Sequence, residues 1–316
     1  MRGISVTLTL GLVAAAVLSA PVSAAPVPGT SCQVLPSDNV WNTDVSKLPV
    51  DPHSKTWLKS MHAGNTLLHP DFGGPPYGFP FDVVDNSTPT TSVHFHYASE
   101  SDKAPYPFTS NTSIEKGSDR HALMIDSDTC TLYELYAADW NGGDPKAGSG
   151  AIFDLGSNAL RADGWTSADA AGLPIFPGLV RYDEVQAGAI HHAIRFTVDC
   201  TRDRHIWPAR HDAGVSDRNC PPMGARFRLR KGFSLNGFSP AAQVILKAMK
   251  HYGMIVADNG SDWYFQGTMD SRWTNALLDQ LKTIPASAFV AVDESGCQVS
   301  PDSAEAAASS SCPLPS

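Results

Sequence analysis

Hydrophobic and polar residues alternate along the middle of the chain. In segment 93–97, apolar or aromatic residues alternate with His94 and His96. Successive side chains of a β-strand point to opposite faces, so this pattern predicts a strand with both histidines on one face. Short strands separated by Gly-, Pro- and Asp-bearing segments predict a mainly β fold with an antiparallel β-sandwich or jelly-roll-like core. Comparable runs occur at 120–126, 130–140, 149–156, 179–185, 188–200 and 224–232.

The pattern changes to a helical period in the C-terminal third. Between Ser239 and Gly253 apolar residues recur every three or four positions, with Ser239 at an N-cap position and Pro240 at the first helical position. These are the usual start and stop signals of an α-helix. A second such segment, 271–284, ends before Pro285. We therefore predict two α-helices packed in the C-terminal third of the β-rich domain.

The N-terminus has the composition of an export signal. Arg2 precedes the apolar run 4–20, and small residues follow at 22–24. This order predicts a signal peptide over 1–24 and a secreted, extracellular protein. No later run approaches the ~20 apolar residues of a membrane span, so no membrane association is expected. We predict a flexible leader at 25–31, a single β-rich globular domain at 32–300 and a low-complexity tail at 301–316, tied by Cys312.

The cysteines are even in number and all follow the predicted signal peptide. Such a set in an exported chain is typical of structural disulfides. Proximity along the chain favours the pairs Cys200–Cys220 and Cys297–Cys312, which leaves Cys32–Cys130 as the third bridge.

The formal net charge of −9 indicates which class of macromolecule the protein could bind. A general nucleic-acid-binding protein carries a basic surface, so this charge argues against nucleic acid. The sequence also lacks the GxSxG, P-loop and HExxH motifs, which carry serine-hydrolase, nucleotide-binding and metalloprotease chemistry. We expect a monomer whose partner is an extracellular polysaccharide.

The pair His94 and His96 raises the question of a metal site. Together with His121 they could supply three ligands of an open, zinc-type site. The HxH spacing is also typical of two solvent-facing histidines on a strand. We therefore predict no cofactor, with a divalent metal bound by His94, His96 and His121 as the alternative.

Two further predicted strands carry basic residues. In segment 188–200, alternation puts His192 among the apolar residues and His191 with Arg195 on the polar face. If these strands neighbour segment 93–97, one sheet face would form a cationic patch suited to carboxylated or sulfated ligands. A solvated outer face is the alternative. The patch would contain His94, His96, His191, Arg195 and some of Arg226, Arg228 and Arg230.

Glycoside hydrolysis needs two carboxyl groups, one protonated and one ionised. Glu134 is the strongest candidate for the acid, because alternation places it with Leu132 and Tyr136 and apolar surroundings raise the pKa of a carboxyl. Spacing alone pairs no second carboxyl with it. The candidates are Asp126, Asp154, Asp183, Glu184, Asp258 and Asp270.

These features favour a secreted carbohydrate-active enzyme that cleaves an extracellular polysaccharide, with a glycoside hydrolase ahead of a lyase. A polysaccharide lyase would use Arg195 to neutralise a uronate and Tyr182 or a histidine as the base. The further alternatives are a non-catalytic polysaccharide-binding protein and a metal-dependent hydrolase built on His94 and His96. The predicted catalytic residues are His94, His96, Glu134, Tyr182, His191, His192 and Arg195. The aromatic residues predicted to stack on sugar rings are Trp140, Trp207, Trp263 and Tyr264.

Overall fold

The computed structural model describes residues 24–307 and Cys312. Over these residues the chain folds mainly into β-strands with four α-helices, which confirms the mainly β class. The predicted signal peptide, except for Ala24, lies outside the described residues. The helices are α1 (Ser54–Ser60), α2 (Tyr182–Ala187), α3 (Pro240–His251) and α4 (Asn275–Leu281). The strands are β1 (His69–Asp71), β2 (Asp82–Val84), β3 (His94–Phe95), β4 (Ala122–Asp126), β5 (Thr131–Tyr136), β6 (Lys146–Ala147), β7 (Ser149–Asp154), β8 (Ile194–Val198), β9 (Arg226–Leu229), β10 (Met254–Asn259), β11 (Tyr264–Gln266) and β12 (Phe289–Val292).

The larger sheet has six strands in the order β1-β11-β8-β10-β9-β12. Its β8–β10 and β1–β11 pairs are parallel, and its other pairs are antiparallel. Parallel neighbours need a long crossover connection, which the segment containing β9 and α3 supplies between β8 and β10. The sheet is therefore mixed rather than purely antiparallel, and the sandwich or jelly-roll arrangement stays a prediction.

The second sheet has four strands in the order β2-β4-β5-β7. Strands β4, β5 and β7 pair in antiparallel fashion, and β2 joins β4 in parallel. The two-residue strands β3 and β6 form a separate parallel pair. The alternating segment with the two histidines therefore makes only a short ladder beside this sheet.

Both helices predicted in the C-terminal third are confirmed. The Ser239 hydroxyl accepts a hydrogen bond from the Ala242 N–H at the start of α3, and Thr274 caps α4 in the same way. The strand predicted over 179–185 is wrong, because residues 182–187 form α2. Gly188 follows this helix at φ +93°, the left-handed conformation in which glycine commonly ends a helix.

Three disulfides tie the chain, and they are the predicted pairs Cys32–Cys130, Cys200–Cys220 and Cys297–Cys312. Such bridges fit an extracellular protein. Residues 25–31, expected as a flexible leader, contact the domain: Val27 is buried and the Ala25 carbonyl accepts a 2.7 Å hydrogen bond from Arg181. Across the described part of the chain, every helix is too short or too polar to cross a membrane.

Strand β8 lies inside the molecule. All of its residues are buried, including Arg195, which is 2% exposed. The prediction of a polar outer face for this strand is therefore wrong. The reason is that β8 lies between two other strands and that the segment around Gly178 packs against its Arg195 face. A Cβ added to Gly178 would lie only 2.9 Å from the Arg195 Cβ. A strand buried on both faces shows no outer face in its composition.

Candidate functional site

A cavity of about 410 Å³ opens between the two larger sheets. Tyr136 and Ser149 of the four-stranded sheet and Asp258 of the six-stranded sheet line it. Loops supply most of the remaining polar lining, which includes Tyr97, Glu100, Asp119, Asp169 and His211. Carboxyl, phenol and imidazole groups from separate parts of the chain thus surround a single space, and we call it the acid cavity.

Asp258 reaches the acid cavity because of a β-bulge in β10. Ile255 lies opposite Arg195 of β8, so alternation would place Ala257 on the Arg195 face and Asp258 on the other face. The register shifts by one residue before Asp258, which lies opposite Thr197. A one-residue bulge exchanges the faces of the residues that follow it. Asp258 therefore shares a face with Arg195.

The loop that carries Asp169 is fixed to this bulge. The Ala171 N–H donates to the Ala257 carbonyl at 2.9 Å. The Ser167 hydroxyl bonds both the N–H and the carbonyl of Asp169, each at 2.9 Å. Gly172 has φ +70°, and a Cβ there would lie 2.4 Å from a backbone carbonyl oxygen, so the loop needs glycine at this position. The bulge and the loop position Asp258 and Asp169 together.

Asp258, Arg195 and Asp169 form a charge cluster at the wall of the acid cavity. The Arg195 guanidinium binds both Asp169 oxygens, with Nε–Oδ2 at 2.9 Å and Nη2–Oδ1 at 2.6 Å. Its Nη2 is also 4.0 Å from Asp258 Oδ2, and the Asp258 side chain is 24% exposed. Burial and the Asp169 carboxylate raise the pKa of Asp258 well above its usual range. This shift favours the protonated form of the Asp258 carboxyl, the form that can donate a hydrogen bond.

Tyr136 and Glu100 contribute further polar groups to the acid cavity. Burial, followed by the charge of Asp119, raises the pKa of the Tyr136 phenol, so this group is a hydrogen-bond donor rather than a base. The Glu100 carboxylate accepts a 3.3 Å hydrogen bond from the Thr166 N–H, and its Oε2 is 3.7 Å from His211 Nε2. Among the described residues, no basic side chain forms an ion pair with Asp119.

Glu134, the acid favoured by the sequence, does not line the acid cavity. Its side chain is fully buried. Both carboxyl oxygens lie 2.9 Å from the Ile175 N–H, and Oε1 also accepts from the Phe176 N–H at 2.9 Å. Burial outweighs these donors and raises the pKa of Glu134 to about 8. Its environment supports the predicted raised pKa, but the carboxyl is closed to any ligand.

The structure does not bring the three histidines of the alternative metal site together. His94 and His96 are exposed, whereas His121 is buried with its Nδ1 2.6 Å from Glu115 Oε2. Within residues 24–307 and Cys312, no three His, Cys, Asp or Glu side chains are placed to hold a metal ion. His94 instead lies 3.6 Å from the Asp144 carboxylate.

The remaining predicted catalytic residues also lie outside the lining of the acid cavity. His191 Nδ1 is 3.2 Å from the Tyr252 hydroxyl. His192 is buried, with Nε2 3.0 Å from the Glu184 carboxylate. Tyr182 packs edge-on against a tryptophan ring at a centroid distance of 4.8 Å. Of the predicted catalytic residues, only Arg195 belongs to the charge cluster.

The predicted sugar-binding aromatics are dispersed. Trp263 is fully buried in the core, so its ring is closed to a ligand. Trp140 packs edge-on against a phenylalanine at 5.5 Å, and Tyr264 stacks on His69 at 4.0 Å. Trp207 lines a different cavity, of about 530 Å³.

The cationic patch predicted from segment 224–232 is also not formed. Arg226 is 1% exposed and pairs with the Glu294 carboxylate at 2.8 Å. Arg228 donates to the backbone carbonyls of the 40–48 region, which covers this strand, and only Arg230 is exposed. Arg226 and Arg228 thus anchor the 40–48 segment rather than presenting charge to a ligand.

Sequence reasoning included Asp258 among several carboxyl groups but could not single it out. Alternation along β10 places it on the wrong face, because the bulge is not visible in the sequence. The one available signal is that Asp258 ends an apolar run and begins a polar turn. Asp169, in a loop without periodicity, gives no such signal.

Searches for similar proteins return no match: no protein-family model, no curated protein and no solved structure matches this chain.

Proposed function

We propose that the protein is an exported glycoside hydrolase that cleaves an extracellular polysaccharide in the acid cavity, with Asp258 as the general acid. The observation that carries this proposal is the environment of Asp258. Its carboxyl is buried against Asp169 yet remains 24% exposed towards the cavity. A carboxyl that stays protonated and open to a ligand is what protonation of a glycosidic oxygen requires.

The second carboxyl in this proposal is Asp119. It lines the acid cavity, is exposed, and interacts with Tyr136, as does Asp258. Asp258 gives its proton to the leaving glycosidic oxygen as the bond to the anomeric carbon breaks. Water supplies the hydroxyl that the anomeric carbon gains, and the remaining water proton passes to Asp119. One water is consumed, and each product keeps an intact sugar ring.

Two features favour hydrolysis over β-elimination. A lyase needs a free cation or donor for the uronate carboxylate and a base for the adjacent proton. Arg195 already binds Asp169 through two hydrogen bonds. The raised pKa of Tyr136 keeps its phenol protonated.

The test is incubation with a polysaccharide panel, with two readouts: new reducing ends, and the absorbance of unsaturated uronates. We expect reducing ends without unsaturated products. Asp258→Asn should lower kcat/KM about 10²–10⁴-fold, the usual contribution of general acid catalysis. Because the pKa of Asp258 is raised, wild-type activity should fall as the pH increases through it.

The matched control is Asp279→Asn. Asp279 is an exposed residue of α4 that pairs with Lys282, and its replacement should leave activity unchanged. Unsaturated products would make the protein a lyase. Binding without any product would make it a polysaccharide-binding protein, and full activity of Asp258→Asn would contradict the assigned acid.

A further inference from the structure

A separate cavity of about 390 Å³, which we call the arginine cavity, is lined by Arg202, Arg204 and Arg218 with Asp203 and Ser216. In the described part of the chain, none of these three guanidinium groups has a hydrogen-bond or ion-pair partner. Other arginines, such as Arg195 and Arg226, are held by carboxylates. The arginine cavity thus concentrates positive charge that the fold itself does not use.

Arg202 gives the most direct indication of a missing partner. Its Nε is buried from solvent and makes no hydrogen bond. Leaving a buried charged donor unpaired is costly. An oxyanion bound in the arginine cavity, which Arg202 lines, would supply the counter-charge that the fold leaves out.

The loop between Cys200 and Cys220 holds these arginines in place. Its ends are joined by the disulfide, and the Asp203 N–H donates to the Val215 carbonyl at 2.9 Å. A Cβ added to Gly214 would lie 2.3 Å from two backbone carbonyl oxygens, so the loop strands approach closely. A ligand would therefore meet side chains that project from an ordered backbone, which lowers the entropic cost of binding.

Arg202 and Arg204 also line the neighbouring cavity of about 530 Å³, together with Trp57 and Trp207. Trp57 is only 4% exposed, and its indole N–H has no hydrogen-bond partner. His53 stacks on the Trp57 ring at 5.4 Å. Trp57 is therefore part of the wall of this cavity and is closed to a ligand. Asp51, Asp293 and Glu294 also line this cavity, so the concentration of unpaired positive charge lies in the arginine cavity.

The same disulfide loop connects the arginine cavity to the acid cavity. It supplies His211 to the lining of the acid cavity. The Thr201 hydroxyl, next to Arg202, donates to Asn259 Oδ1 at 2.7 Å, and Asn259 directly follows Asp258. One disulfide-closed loop therefore contributes side chains to both cavities.

We propose that Arg202, Arg204 and Arg218 bind the sulfate or carboxylate groups of a polyanionic polysaccharide. This inference rests on the proposed hydrolase and names its substrate class as an acidic glycan. Guanidinium groups bind sulfate and carboxylate oxygens through paired, charge-assisted hydrogen bonds. The chain as a whole carries a net charge of −9, which repels polyanions, so binding would require this local site.

The test measures the Kd of the full chain for three polymers: dextran sulfate, polygalacturonate and unsubstituted dextran. We expect binding to dextran sulfate, to polygalacturonate or to both, and none to dextran. The two anionic polymers distinguish a sulfate ligand from a carboxylate ligand. Loss of each arginine should weaken binding about tenfold, so Arg202→Gln/Arg204→Gln/Arg218→Gln should lose about a thousandfold if the three contributions are independent.

Arg230→Gln is the matched control, because Arg230 is exposed, lacks a described partner and lines neither cavity. It should bind as tightly as the wild type. Arg218→Gln alone, at an exposed position, provides a variant that keeps its fold and should still lose about tenfold. The proposal would be overturned by any of four results: no binding to either anionic polymer, equal binding to dextran, undiminished binding by the triple variant, or an equal loss in Arg230→Gln.

Binding is scored separately from product formation, so the two proposals fail separately. Arginine-dependent binding without cleavage would support the arginine cavity and contradict the hydrolase. Cleavage of only uncharged glycans, without arginine-dependent binding, would support the hydrolase and contradict the role of the arginine cavity.

Discussion

Glu134 and Asp258 are two carboxyl groups whose pKa burial raises, and they lie on different sheets of the same molecule. Glu134 on β5 is sealed and bound by backbone N–H groups. Asp258 on β10 keeps 24% of its side chain exposed at the acid cavity. Both pKa shifts favour the protonated form that general acid catalysis needs, but of the two groups only Asp258 lines the acid cavity. Access to the acid cavity therefore distinguishes the proposed general acid from the sealed carboxyl, whereas the direction of the pKa shift does not.

The Arg195–Asp169 ion pair interacts electrostatically with both Glu134 and Asp258. Asp169 raises the pKa of Asp258 and of Glu134, and Arg195 lowers both. The pair itself is almost fully buried. Changing it should therefore act on the sealed and the open carboxyl at once.

The largest effect on stability is expected from Arg195→Met. Removing one partner of a buried ion pair leaves an uncompensated charge, which costs about 3–5 kcal/mol. The free energy of unfolding, measured by urea denaturation, should fall by that amount. The double variant Arg195→Met/Asp169→Asn should recover part of the loss, because it no longer buries an unpaired carboxylate. A cost below about 1 kcal/mol for the single variant would show that solvent reaches the pair.

An effect that depends on pH is expected from Glu134→Gln. The pKa of Glu134 is about 8 in the folded protein against 4.5 for the ordinary group. Between these values the folded state binds a proton that the unfolded chain has lost, so stability falls as the pH rises. This contribution is fully present below pH 4.5 and is lost above about pH 8. Each pH unit within the window should remove up to about 1.4 kcal/mol.

Thermal unfolding followed from pH 5 to 9 checks this prediction. Glutamine retains an oxygen for the Ile175 and Phe176 N–H groups but cannot titrate, so the slope from Glu134 should vanish. Asp279→Asn should keep the wild-type slope, since Asp279 is exposed on α4. An unchanged slope in Glu134→Gln would mean that the sealed carboxyl is ionised in the folded protein.

The sequence was informative where local patterns decide the structure. Ser239 and Pro240 mark the start of α3, and the spacing of cysteines along the chain matches all three disulfides. Alternation also identified β8 and β9 as strands. These features depend on neighbours within a few residues or on simple proximity along the chain.

The candidate site depends on contacts that local patterns do not contain. Alternation predicts that Arg195 points outward from β8. The sheet is covered on both faces, however, and the guanidinium lies against Asp169. Asp258 changes faces at a bulge, and the residue that it meets comes from a loop without periodicity. Alternation predicts the side of a strand only when the register is regular and one face meets water.

The smallest effect is expected from His94→Ala/His96→Ala, in the most conspicuous motif of the sequence. Both side chains are exposed, and the His94–Asp144 contact at 3.6 Å joins groups that are 75% and 53% exposed. Exposed pairs of this kind contribute little, because water solvates both charges. Neither histidine lines the acid cavity. The double variant should therefore keep the wild-type unfolding midpoint and the wild-type kcat/KM on the substrate that the panel identifies. A tenfold loss of activity in the folded variant would move the reaction to the β3 surface and would make Asp258, like Glu134, a structural carboxyl.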